Sequence, residues 1–261
     1  MLRSLYTAAT GMDAQQLKMD VIANNIANAG TTGFKKARPE FEDLLSETVR
    51  AASAPDPQGG SEPAPLQVGL GVRTGATSRS FSAGDMLNTG NTLDVAIEGD
   101  GFFRVQKTNG DLAYTRAGSL QVDATGRLTT LHGDLVEPGL QVPTGAQQIV
   151  IKPDGTVQAK VPNRDTPVEL GQIELSSFQN PAGLQAIGQN LFEATPASGE
   201  AVHGRPGENG LGTLSQGFLE SSNVKAVEEM IDMISTQRAY ELNSKVIQTA
   251  DQMLQRLTSL R

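Results

Sequence analysis

Residues 223–261 read NVKAVEEMIDMISTQRAYELNSKVIQTADQMLQRLTSLR, and the spacing of their apolar side chains decides the fold class. Val224, Val227, Ile231 and Ile234 start a stripe that Ala239, Leu242, Val246, Ala250, Met253, Leu257 and Leu260 continue at three- and four-residue steps. Tyr240, Ile247 and Leu254 form a second column about 100° away. Together the later residues cover roughly 160° of the helix, wider than the roughly 100° of an ordinary surface helix. A helix with so wide an apolar arc must be covered on more than one side. Asn223 is the expected cap, and Glu228, Glu229 and Asp232 sit near the positive end of the helix dipole.

The opposite end of the chain has the same character. Leu5, Met12, Met19 and Ile26 are seven residues apart, with Ala8 and Ile22 between them, which predicts one apolar helix face from Leu2 to about Asn28. Ser4 is the expected N-cap and Gly30 the expected C′ residue. Asn24, Asn25 and Asn28 are poor helix formers, so they either fray near the cap or supply amide hydrogen bonds between subunits. A single N-terminal helix covers only part of the C-terminal arc. Further copies of the chain are the expected cover for the rest.

Between the ends the pattern changes. Residues 51–71 hold four prolines and four glycines, which exclude regular helix and central strand. By composition alone this is a linker or an ordered extended segment, with the linker favoured. From about residue 80 to 215 the signals are β. Val95 and Ile97 precede Gly99-Asp100-Gly101 and then Phe103 and Val105. Leu120 and Val122 precede the turn 123–126, with Leu128 beyond, and Ile149 and Ile151 precede the turn 153–155 and then Val157. Each reads as a hairpin with turn chemistry in place. The fold expected is α+β, with helical ends around a β-rich interior.

Charge separates the same regions. The chain of 261 residues has a net charge of −8. Residues 1–36 sum to +2 and residues 224–261 to zero, so the middle carries −10. Near-neutral ends can pack closely while an acidic middle favours water, and no basic footprint for nucleic acid exists. Lys35, Lys36 and Arg38 form one short basic cluster, expected to be a solvated loop. The start lacks the apolar core of a secretory signal, and no run is long enough to span a membrane directly.

Chemistry-bearing patterns are scarce. Cysteine is absent, which excludes thiolate metal sites, disulfides and a cysteine nucleophile. His132 and His203 sit beside glycines in expected turns, without further ligands at metal spacing. Asp100, Asp123 and Asp154 each fall within a glycine-containing turn, where Asp is favoured for local backbone bonding. Gly69–Gly75 is one residue too long for a dinucleotide fingerprint. No catalytic, cofactor or metal residue is assigned.

Longer words then become recognisable. Thr7–Gln16 and Ala23–Lys35 resemble the N-terminal signature of bacterial flagellar rod and hook proteins. Ser221–Val224, Gln237–Lys245 and Asp251–Leu254 resemble the matching C-terminal signature, and Asp94–Phe103 and Tyr114–Ser119 fit the interior. Length, the segment Phe41–Leu45 and the approach Leu211–Glu220 are most similar to the distal-rod members. A proximal-rod member of similar length is the alternative, and a secreted β-domain binding module is a rival from a different class.

The resemblance implies that the terminal helices pair as a coiled coil and line the channel of a helical tube. It implies inner helical regions at 1–34 and 219–261, a connector at 35–79 and an outer β-rich domain at 80–218. Expected subunit-interface residues are Leu5, Met12, Met19, Ile22, Ile26, Val227, Ile231, Ile234, Tyr240, Leu242, Val246, Ile247, Met253, Leu254 and Leu257. An extended stretch at about 46–66, marked by Pro55, Pro57, Gly59, Gly60, Pro63 and Pro65, is expected to order between subunits on assembly. Further implications are torque transmission to the hook and export through the flagellar type III apparatus without a cleaved signal. Expected partners are further copies of the chain, proximal rod proteins, hook protein and the P-ring and L-ring bushings. The expected location is the distal rod of the basal body, crossing the periplasm.

Overall fold

A computed structural model describes residues 2–50, 65–162 and 166–259. Pro55, Pro57, Gly59, Gly60 and Pro63 lie outside the described residues. The chain divides into two units, one from 1–27, 37–78 and 225–261, the other from 28–36 and 79–224.

The first unit contains both terminal helices, α1 (Leu2–Ala27) and α2 (Ala226–Ser259). Beside them run two antiparallel ladders. The first pairs β1 (Ala37–Asp43) with β4 (Val72–Arg79), and the second pairs β2 (Glu47–Arg50) with β3 (Leu66–Val68). Every residue of β2 and β3 is exposed, as is Pro65 just before β3. Because α1 begins at Leu2, Ser4 lies inside its first turn instead of capping it. The left-handed residue after the helix is Gly33, at φ 70°, and not Gly30.

The second unit is built from short strands: β5 (Met86–Asn88), β6 (Val95–Glu98), β7 (Phe102–Gln106), β8 (Leu112–Thr115), β9 (Leu120–Val122), β10 (Leu128–Thr130) and β11 (Leu135–Val136). There follow β12 (Gln148–Ile151), β13 (Thr156–Lys160), β14 (Val168–Gln172), β15 (Leu175–Ser177), β16 (Gln185–Gly188), β17 (Leu191–Glu193), β18 (Val202–Gly204), β19 (Thr213–Gln216) and β20 (Phe218–Glu220). The largest sheet runs β16-β17-β8-β7-β11-β10-β9, with β15 also on β7 and β18 on β15. A second sheet is β12-β13-β14, and β19-β6 and β20-β5 are separate pairs.

Strand β7 shows why this core forms. Phe103 and Val105 point into a large aliphatic cluster with Val95, Ile97, Leu128, Val157, Leu175 and Leu214. Phe102, one residue out of phase, points to the other face, as alternation requires. There it joins Tyr114, Phe178, Leu184 and Phe192. Edge-to-face contacts at centroid separations of 4.8 to 6.1 Å concentrate the chain's few aromatics in this second cluster.

Two expected hairpins are present, β9-β10 with Leu128 opposite Val122 and β12-β13 with Ile151 opposite Val157. The third is not. Strand β6 pairs with the distant β19, not with β7. Gly99 and Gly101 adopt φ of 116° and 140°, a path open to glycine that carries the chain out of β6 into a different sheet.

The basic cluster also departs from expectation. Lys35 is wholly buried, with its ammonium 2.6 Å from Glu220 Oε1 and 2.7 Å from the Ser82 carbonyl. Arg116 lies 3.4 Å from the same carboxylate oxygen and donates to the Gly101 and Gly99 carbonyls. Burial pulls the Lys35 ammonium below the usual lysine range, and its hydrogen bond to Glu220 opposes that shift. Asn223, the expected cap of α2, instead accepts from the Lys36 amide and donates to the Ser80 and Ser82 carbonyls.

Candidate assembly interface

The direction of the helix pair follows from two contacts. The Asn25 amide lies 3.0 Å from Glu229, and a Cβ at Gly11 would approach Asn243 Nδ2 to 2.9 Å. Moving back along α1 therefore moves forward along α2, so the helices are antiparallel. Gly11 permits the close approach. In α2 the buried and half-buried positions are Ala226, Glu229, Met233, Thr236, Ala239, Tyr240, Asn243, Ser244, Ile247, Ala250 and Leu254, and the run Glu229, Met233, Thr236, Tyr240, Asn243, Ile247, Ala250 and Leu254 among them steps alternately by four and three. That spacing is the seam of a coiled coil. On α1, Ala8 and Ile22 are buried, and Leu5, Met12, Met19 and Ile26 are half-buried on the same broad face.

The seam is only half apolar. Glu229 and Thr236 are each 1% exposed. Asn25, equally buried, accepts from the Ala37 amide at 3.0 Å and donates to the Ala37 carbonyl at 2.9 Å, as well as to Glu229. From its sequence position Asn25 is expected either to fray near the cap or to supply amide hydrogen bonds between subunits. It does neither, because its amide is used within the chain.

The opposite face of α2 is open and carries exposed apolar side chains among polar ones such as Arg238, Glu241 and Lys245. Val227, Met230, Ile231, Ile234, Leu242, Val246 and Met253 are all 46% exposed or more. Taking 100° per residue, they span an arc of roughly 160° centred opposite Glu229. The two apolar columns of the sequence separate in part, since Ala250 of the first column lies in the seam with the second. Tyr240, Ile247 and Leu254 turn to α1, whereas Val227, Ile231, Ile234, Leu242, Val246 and Met253 turn away from it. The side chain of Leu257 lies outside the described residues. The outward face of α1 is different in kind, carrying Tyr6, Asp13, Gln16, Asp20, Ala23 and Asn24.

The groups that sequence inspection raised for chemistry are occupied locally. Asp123 accepts from the Thr125 hydroxyl and the Thr125 and Arg127 amides, which holds its carboxyl well below the usual range. Asp154 accepts from the Thr156 amide, and its carboxyl is lowered for the same reason. His203 lies in β18, not in a turn, with Nδ1 2.9 Å from Ser176 Oγ. Among the described residues no three acidic, histidine or cysteine side chains gather as a metal site.

Comparison with known proteins bears directly on the two ends. Residues 5–35 match the family model described as flagella basal body rod protein, and residues 215–260 match the flagellar basal body rod FlgEFG protein C-terminal model. Residues 96–159 match the flagellar hook protein FlgE/F/G D1 domain. The chain is 50% identical over 256 residues to the flagellar basal-body rod protein FlgG of Borreliella burgdorferi, covering 97% of each chain. It is 48% identical over 261 residues to the FlgG of Caulobacter vibrioides and 46% identical over 260 residues to that of Buchnera aphidicola from Acyrthosiphon pisum, covering both chains fully.

The chain belongs to the FlgG family of flagellar basal-body rod proteins.

It is a structural subunit of the distal rod and not an enzyme. Membership sets aside both the proximal-rod alternative and the secreted binding module. Its location is the basal-body rod, and among the described residues no helix is long and apolar enough to cross a membrane. In this FlgG-family chain the long-range polar groups escaped sequence reasoning. Lys35, Arg116 and Glu220, like Asn25 and Glu229, meet across 104 to 204 residues of chain. No local spacing signals such a meeting.

Proposed function

We propose that copies of this chain polymerise through the outer face of α2 into the rigid tube of the distal rod. The observation that carries this reading is the open stripe from Val227 to Met253, which extends along α2 opposite its own partner helix. Each residue is already part-covered, so full burial of the stripe contributes on the order of 5–10 kcal/mol per chain. Seven large apolar side chains left open along one helix face are a surface that a partner would cover. The half-polar seam to α1, by contrast, offers little adhesive surface and much geometric restriction.

In this reading the tube transmits motor torque to the hook and encloses the export channel. Proximal rod proteins and hook protein adjoin its two ends, and the P-ring and L-ring bushings surround it. Residues 46–66 contribute an extended element between neighbouring subunits, for which β2 and β3 are the described flanks. The chain reaches its place through the flagellar type III apparatus. The inner helical regions are 1–34 and 219–261, with a connector at 35–79 and the β-rich region at 80–218.

The test compares Ile231→Asp and Leu242→Asp with the unaltered chain. Both variants should keep the circular dichroism of the folded chain and fail to enter sedimentable rods or support motility. Rods formed at normal yield by both variants would remove the outer stripe as the interface.

A further inference from the structure

We infer that Asn25 is a positioning residue that sets the register of the α1–α2 pair. This inference deepens the assembly reading but rests on geometry inside one chain. A heptad seam by itself tolerates sliding, because a shift of seven residues brings the same kinds of position together again. In α2 such a shift exchanges Glu229 with Thr236, Thr236 with Asn243, and Asn243 with Ala250. Shape alone therefore discriminates weakly between registers. Polar groups that must find their partners discriminate strongly, since a buried amide or carboxylate left unbonded is costly.

Asn25 satisfies three demands at one point. Its carbonyl oxygen accepts from the Ala37 amide, one amide hydrogen is donated to the Ala37 carbonyl, and the amide nitrogen also donates to Glu229 Oε2. The side chain thus behaves as a peptide group paired with the first residue of β1, with a hydrogen to spare for α2. Asp in its place lacks both donors and sets a second carboxylate beside Glu229. Gln reaches one methylene too far for the pairing with Ala37. A displaced register removes Glu229 from the amide while Ala37, tied by the short connection after α1, stays in place. The joint therefore ties the register of α2 to the point where the chain turns from α1 into β1. It also keeps the outer apolar stripe at one height along the helix pair.

The absence of cysteine makes the test clean in the full chain. Gly11→Cys with Asn243→Cys reports the native register, since Gly11 and Asn243 are in contact. Gly11→Cys with Thr236→Cys and Gly11→Cys with Ala250→Cys report shifts of one heptad in either direction. Monomer-sized disulfide products should form only for the native pair when Asn25 and Glu229 are intact. In an Asn25→Leu, Glu229→Leu background the helices still have apolar partners, and the shifted products should rise about tenfold. Products still confined to the native pair would overturn the inference. So would loss of every product, because the amide would then supply adhesion and not register. Asn25→Gln alone should also raise the shifted products, and their absence there would count against the bonding to Ala37.

Discussion

Lys35 places a charge where no solvent reaches it, and its compensation comes from Glu220 and the Ser82 carbonyl. Arg116 brings a second cation to the same carboxylate, so removing Glu220 leaves two buried cations without their shared counter-charge. Glu220→Ala is expected to destabilise the β-rich unit by about 3–5 kcal/mol in urea unfolding, and Lys35→Met by less, because Arg116 then remains to balance the carboxylate. Equal and small effects would show the cluster to be solvated. His203 gives a residue-level dependence on pH. His203 is exposed on β18, and partial desolvation there, with the nearby Arg104 guanidinium, holds it below the usual imidazole range against the opposing pull of Glu174 and Glu137. The folded chain therefore binds this proton less tightly than the unfolded chain, whose imidazole titrates near about 6.5. The contribution is complete above that pH and is lost as pH falls through it toward the folded value. Thermal melts between neutral and mildly acidic pH should show this decline, and His203→Gln should flatten it. An unchanged slope in that variant would assign the decline to other groups.

Helix α2 carries two interfaces of different chemistry on opposite faces. One is a heptad seam with Glu229, Thr236 and Asn243 interleaved among Met233, Tyr240, Ile247 and Leu254. The other is an open apolar stripe. The distinction predicts opposite outcomes for two similar substitutions. Ile247→Asp places a charge against α1, so helix content should fall in the isolated chain. Ile231→Asp places it on the open face, so helix content should hold and polymerisation alone should fail. Circular dichroism and sedimentation on both variants separate the cases, and identical behaviour would mean that the two faces are not distinct. Sequence periodicity located both columns but could not say which one α1 takes. The face taken is marked by the contacts of Asn25 with Glu229 and of Gly11 with Asn243, each pair more than 200 residues apart in the chain.

Across the whole molecule, a half-polar seam inside the chain and an open stripe of apolar side chains outside it link helix order to assembly. Ordering each residue costs on the order of 1–2 kcal/mol of backbone entropy, which an isolated helix pair offsets only in part. Helix content should therefore rise as subunits assemble, measured by circular dichroism on either side of the assembly threshold. Dilute chain with the full helix signal of the polymer would contradict this. Apolar periodicity is a local property, and it is enough to make the ends helical, the interior β and the apolar arc of α2 too wide for one partner helix. The sequence also carries the family signatures. The burial of Lys35, the pairing of β6 with β19, the antiparallel run of the helices and the joint that Asn25 makes between α1, β1 and α2 emerge only when the chain is folded. Those outcomes depend on groups brought together across most of the chain, where a side chain's partner is chosen by burial and geometry and leaves no trace in local spacing.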